Sequence, residues 1–142
     1  MLKGAVCEIK LSRVYETEPM YLNNQPMFLN CVAMGNTAES PDSLLRFLQG
    51  IEQKMGRNRI HVPDKGPRII DIDILLYERK IIHTDHLHIP HPGMYEREFV
   101  LLPLLELVPE IKDPESGSRF SDFIGSIEKQ GVSVFADSKE IM

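Results

Sequence analysis

From Ala5 to Tyr15 the apolar Cys7, Ile9 and Leu11 alternate with Glu8, Lys10 and Ser12, the period of two that a half-buried strand requires. Thr17 to Pro26 breaks the rhythm: Pro19, Asn23, Asn24 and Pro26 suit neither period, so a long loop is expected, of the kind that often carries function. Phe28 to Met34 resumes as a strand. Ser40-Pro41-Asp42 supplies a capping hydroxyl, a proline for the first helical turn and an acid favourable to the helix dipole. Behind it Leu44, Leu45, Leu48, Ile51 and Met55 form one helical stripe that Gly56 should end. Ile69 to Tyr77 reads as a strand, with Ile70, Ile72, Ile74 and Leu76 on one face and Asp71, Asp73, Leu75 and Tyr77 on the other. Lys80 to His83 should pair back onto it across Glu78-Arg79. A helix is expected from Met94 to Leu107, kinked or restarted at Pro103. Ser118 should cap a last helix carrying Phe120, Phe123, Ile124 and Ile127, with Gly131 closing it before a strand from Val132 to Phe135. Interleaved helices, strands and hairpins without repeats predict one α+β domain over residues 1–142.

Composition narrows the function classes. The 142 residues are 42% hydrophobic and 26% charged, enough for one packed core. No run approaches the roughly 20 apolar residues of a membrane-spanning helix. Met1-Leu2-Lys3-Gly4 meets Glu8 and Lys10 before a signal-peptide core could form, so a soluble, cytoplasmic protein with no membrane partner is expected. The net charge of −5 argues against nucleic acid as a partner. Cys7 and Cys31, in no metal-binding spacing, read as buried structural thiols, with a disulfide left open.

Against that acidic background, residues 54–68 hold Lys54, Arg57, Arg59, Lys65 and Arg68 with a single acid, Asp64. Guanidinium forks donate paired hydrogen bonds and keep their charge, so this segment is a candidate polyphosphate trap. Immediately after it, Asp71 and Asp73 leave one strand face roughly 6.5–7 Å apart at the backbone. Two such acids repel each other and are costly to bury unless a cation joins them, and Mg²⁺ is commonly held by one or two carboxylates together with substrate phosphates.

Gly66-Pro67-Arg68-Ile69-Ile70-Asp71-Ile72-Asp73-Ile74-Leu75-Leu76-Tyr77 resembles the signature of the 6-hydroxymethyl-7,8-dihydropterin pyrophosphokinase family of folate biosynthesis. The resemblance continues in family order through Ser12-Arg13-Val14-Tyr15-Glu16-Thr17, Gln25-Pro26-Met27-Phe28-Leu29-Asn30, Ile89-Pro90-His91-Pro92 and Arg97 to Leu104. It implies a ferredoxin-like α-β-α sandwich with a mainly antiparallel sheet, and transfer of pyrophosphate from ATP to the pterin hydroxymethyl group with release of AMP. By the same resemblance Asp71 and Asp73 would hold two Mg²⁺ ions, and Arg57, Arg68 and the two aspartates would carry the catalysis. Arg57, Arg59, Arg68, Ile74, His91 and Arg97 would contact ATP; Thr17, Glu18, Met20, Phe28, Asn30 and Phe99 would contact the dihydropterin. An amide can donate and accept along a heterocycle's edge, and aromatic faces suit a flat ring. No strong protein base is implied, since metal and arginines would carry the charge of an in-line displacement.

The chain also departs from the family. Nothing before Leu2 matches the usual opening strand, Gly-Ser-Asn turn and helix, so the expectation is either a piece of a longer gene product or open sheet edges closed by rearranged strands or by a partner copy in a homodimer. Asp64-Lys65 stands where a tryptophan is common, and His86 where an arginine is frequent. Two other readings compete: a non-catalytic, partner-binding paralogue, and a metal protein built on His83, His86, His88 and His91. Retention of the charged residues speaks against the first, and Pro90 and Pro92, which break regular spacing, against the second.

Overall fold

The computed structural model describes residues 2–17, 28–57 and 70–137, with Arg57 given only its place in a helix. Glu18, Met20, Arg59, Arg68, most of the expected 17–26 loop and the Gly66-Pro67 turn lie outside the described residues. The elements are α+β with antiparallel pairing, as expected. They divide into two compact units, Met1–Cys7 with Asn36–His91, and Glu8–Gly35 with Pro92–Met142. No helix among the described residues is long and apolar enough to cross a membrane.

In the first unit, helix α1 spans Pro41–Arg57. Ser40 caps it: its Oγ accepts from the Ser43 amide at 3.2 Å and its carbonyl from the Leu44 amide at 2.8 Å. The anticipated stripe faces the core, where Leu44, Leu48 and Ile51 pack with Ile74, Leu87 and Ile89, flanked by Leu45, Met55, Ile72 and Tyr77. Residues 70–77 depart from expectation, for they form no strand ladder. The Ile72 amide donates to the Glu52 carboxylate at 3.3 Å and the Leu75 carbonyl accepts from the His91 amide at 2.9 Å, so these groups are engaged outside any strand pair. The predicted alternation nevertheless survives, with Ile74 buried and Asp71 and Asp73 exposed. The Glu78-Arg79 turn forms, Lys80 donating to the Tyr77 carbonyl at 3.1 Å. The hairpin expected across it does not, because β5 (Ile82–His83) pairs forward with β6 (His88–Ile89).

In the second unit, β1 (Cys7–Leu11) pairs with β4 (Ala33–Asn36), while β3 (Phe28–Asn30) and β7 (Val132–Ala136) flank β2 (Val14–Thr17). Each of the two long strands expected here is therefore broken in two. The break is fixed by Ser12, fully buried, whose Oγ accepts from the Val32 amide at 2.9 Å and donates to the Arg13 carbonyl at 2.8 Å. The Ser12 amide in turn donates to the Val32 carbonyl at 2.8 Å, so both chains change sheet at one cross-linked point. Glu8, at φ +53°, interrupts the regular alternation of β1, and Cys7 and Cys31 are exposed free thiols rather than buried ones.

The expected helix from Met94 is interrupted at Arg97 instead of Pro103. A 3-10 turn covers Pro92–Glu96, Arg97 is extended, and α2 runs Glu98–Leu107 with Pro103 buried inside it. Gln130 sets that start, its side-chain oxygen accepting from the Glu98 amide at 2.9 Å and its side-chain amide donating to the Glu96 carbonyl at 2.9 Å. Helix α3 (Phe120–Ile124) is shorter than expected and is capped at Arg119, because the Ser118 carbonyl is taken by the Asp113 amide at 2.8 Å. Gly131, at φ +71°, makes the turn into β7 that only glycine adopts without strain. Tyr15, Val32, Met94, Leu101, Leu104 and Phe120 form the buried interior of this unit.

Candidate functional site

In the first unit the sequence-predicted residues Asp71, Asp73, Ile74 and His91 come from two neighbouring stretches. The alternation of residues 70–74 turns both carboxylates to solvent while Ile74 anchors the segment in the core. His91 is brought alongside by its amide bond to Leu75, and its Nε2 stands 3.9 Å from Asp73 Oδ2, the imidazole largely buried and the carboxylate 60% exposed. This exposure corrects one step of the sequence argument: the two acids are not buried, so no buried charge demands a cation. What remains is their chemistry, two hard oxygen ligands two residues apart, which fits an ion that keeps most of its water and shares phosphate oxygens. Arg57 sits at the last position of α1. The four-histidine metal cluster is not formed: among the described residues no three His, Cys, Asp or Glu side chains converge on one point.

The second unit holds four of the residues expected at a flat heterocycle, Thr17, Phe28, Asn30 and Phe99. In the β2–β3 ladder Thr17 lies opposite Phe28 and Tyr15 opposite Asn30, so these four side chains share one sheet face. Phe28 is 55% exposed, an open aromatic surface on this sheet. Thr17 is 8% exposed, and its Oγ1 is buried with no hydrogen-bond partner among the described residues. Such a group costs on the order of 1–3 kcal/mol unless something meets it. Helix α2 packs on β2, and Tyr15 donates its phenol proton to Glu106 Oε1 at 2.6 Å, so α2 covers the side of β2 that carries Thr17 and Asn30. Phe99 stands in the first turn of α2, with the Arg97 guanidinium 5.8 Å from its ring centre. A Cβ on Gly93 would come within 2.7 Å of Arg97 Cζ, so glycine lets the guanidinium lie against the 3-10 turn.

Sequence reasoning missed Glu106. Its carboxylate also accepts from Arg13 Nε at 2.8 Å and from the Arg13 amide at 2.7 Å, tying the start of β2 to the end of α2. Burial pushes the Glu106 carboxyl up, but the bonds from Tyr15 and Arg13 outweigh it and hold its pKa below the ordinary value. The signal was present: Glu106 is an acid in the last turn of the otherwise apolar stretch Phe99–Leu107, at the helix end that disfavours negative charge, and such an acid needs a partner.

The first unit thus presents an exposed carboxylate pair with a neighbouring imidazole, and the second a sheet face carrying a threonine hydroxyl, an amide and an aromatic ring, in a chain of α+β class. The comparisons specify the family. The profile of 7,8-dihydro-6-hydroxymethylpterin-pyrophosphokinase matches residues 1–109, and the chain belongs to that family. It is 44% identical over 136 residues to the folic acid synthesis protein fol1 of Schizosaccharomyces pombe, covering 94% of this chain and 18% of that protein. It is 41% identical over 139 residues to the 2-amino-4-hydroxy-6-hydroxymethyldihydropteridine pyrophosphokinase of Bacillus subtilis, covering 96% of this chain and 81% of that one. A mitochondrial folate synthesis bifunctional protein of Arabidopsis thaliana is 41% identical over 117 residues, 82% of this chain and 21% of its own length. The chain thus spans about a fifth of the fungal and plant relatives and about four-fifths of the bacterial one.

Proposed function

We propose that this chain transfers the pyrophosphoryl group of ATP to the hydroxymethyl oxygen of 6-hydroxymethyl-7,8-dihydropterin, giving the pterin diphosphate and AMP in folate biosynthesis. The observation that carries the reading is the buried Thr17 hydroxyl, without a hydrogen-bond partner among the described residues, on the sheet face of Phe28 and Asn30 in a chain of this family. A heterocycle edge supplies the missing partner. In this proposal the Asn30 amide pairs with the same edge, Phe28 and Phe99 hold the ring faces, and Glu18 and Met20 complete the pterin contacts.

Asp71 and Asp73 are the proposed holders of two Mg²⁺ ions, which when bound neutralise phosphate charge and favour displacement at phosphorus. Ile74, its side chain buried in the core, would meet the nucleotide through its backbone alone. Arg57, Arg59, Arg68, His91 and Arg97 would orient the triphosphate and neutralise charge as the bond from the β-phosphorus to the AMP oxygen breaks. Residues 1–142 would work as one domain. A cytoplasmic location belongs to the same proposal and fits two free thiols.

The test is release of AMP from ATP by the purified chain. It should appear only when the dihydropterin is added and should equal the pterin diphosphate formed. No AMP in the presence of both substrates and magnesium, or AMP at the same rate without pterin, overturns the assignment.

A further inference from the structure

Of the four clustered histidines, the fold pairs two. In the β5–β6 ladder His83 stands directly opposite His88, and the Thr84 amide donates to the Leu87 carbonyl at 2.9 Å just beyond them. In an antiparallel pair hydrogen-bonded positions alternate with narrow ones, so a bond at Thr84 and Leu87 places His83 and His88 at a narrow position, where side chains stand closest. Their Nδ1 atoms face each other at 3.4 Å, with ring planes inclined at 45°. Two imidazole nitrogens each about 2.0–2.1 Å from a tetrahedral zinc ion are about 3.3–3.4 Å apart, so the separation already present is the bite of a chelate.

We propose that His83 and His88 form a two-histidine site for a first-row transition ion, zinc being the best match, with water filling the other positions. Both imidazoles bind neutral, through Nδ1, with the ring hydrogen on Nε2. The site is distinct in chemistry from Asp71 and Asp73, since imidazole nitrogen selects zinc, nickel or copper while carboxylates suit magnesium. It does not depend on the proposed pyrophosphate transfer. Occupied, it would fasten β5 to β6 just ahead of His91.

Titration of the full, metal-free chain with zinc chloride alone, followed by calorimetry, tests this. One equivalent should bind in the micromolar range, and His83→Gln or His88→Gln should each weaken it at least tenfold, whereas His86→Gln and Asp71→Asn should not. Because a variant could disturb the hairpin, the imidazole resonances of the unaltered chain give a second readout, and zinc should shift those of His83 and His88 first. Unsaturable binding, undiminished binding in both pair variants, or loss in His86→Gln or Asp71→Asn each overturns the site.

Discussion

Thr17 and Asn30 sit on one sheet face but make opposite demands on the chain, and substitution separates them. Thr17→Val keeps the shape and removes a hydroxyl that has no partner among the described residues, so thermal stability should hold or rise. If that hydroxyl meets the pterin, dihydropterin affinity should fall about tenfold. A calorimetric titration beside a thermal melt checks both, and unchanged pterin affinity would remove Thr17 from the site. Asn30→Leu should cost about 1–3 kcal/mol of pterin binding while ATP affinity holds, because polar atoms of the ligand lose their partner. Equal loss of both ligands would mean misfolding. Asp71→Ala and Asp73→Ala should nearly abolish AMP release at an unchanged melting temperature, since both carboxylates are exposed and support no core. Retained turnover in both variants would refute the magnesium assignment. At this scale the sequence was informative about residue types and motif order. The orphan state of Thr17 was not legible, because burial of a hydroxyl depends on what α2 lays over it.

Elements whose signals are local matched their sequence reading, and those fixed from afar did not. Helix α1 starts at its own capping serine and buries its own stripe, all within residues 40–55. Ser40→Ala should accordingly cost about 1 kcal/mol, measured by urea denaturation. By contrast, strands were broken by a bond between Ser12 and Val32, and α2 was started by Gln130, partners that no local window contains. Residues 70–74 kept their alternation without a ladder, while Leu75, Leu76 and Tyr77 are all half-buried, so burial pattern and strand pairing are separate properties. Glu106 joins two elements whose sequences say nothing of each other. Glu106→Gln retains a hydrogen-bonding side chain but loses charge, and should cost about 1–2 kcal/mol, the lower part of the range for charged partners because Arg13 is half-exposed. If the clamp aligns β2 with α2, the KM for pterin should rise while the KM for ATP stays. A rise in both, or in neither, would deny it that positioning role.

The whole molecule should owe part of its pH range to two such carboxylates. Asp113 resembles Glu106 in kind: burial pushes its carboxyl up, but bonds from the Ser116 and Tyr95 hydroxyls and from the Glu115 and Ser116 amides prevail and lower its pKa. With both groups depressed, the folded chain binds fewer protons than the unfolded one in acid. Their stabilisation is then complete above the unfolded values, roughly pH 4 to 4.5, and is lost as pH falls through the lower folded values. Tyr95 works in the opposite direction. Burial, and then its bond to Asp113 at 2.8 Å, raise its phenol above the ordinary range, so its contribution is present below about pH 10 and is lost as pH climbs beyond it. All three groups lie in the second unit, Tyr95 and Asp113 at the packing of Tyr95, Phe120 and Phe123, and Glu106 at the join of α2 and β2. Hydrogen exchange at about pH 3 should therefore show α2, α3 and β7 losing protection before α1, since Glu106 and Asp113 both belong to the second unit. In Asp113→Asn the acid limb of the stability curve should flatten, because the titrating group is gone, while stability near neutrality falls. Protection lost first in α1, or an acid limb unchanged in both Asp113→Asn and Glu106→Gln, would place the acid sensitivity elsewhere in the chain.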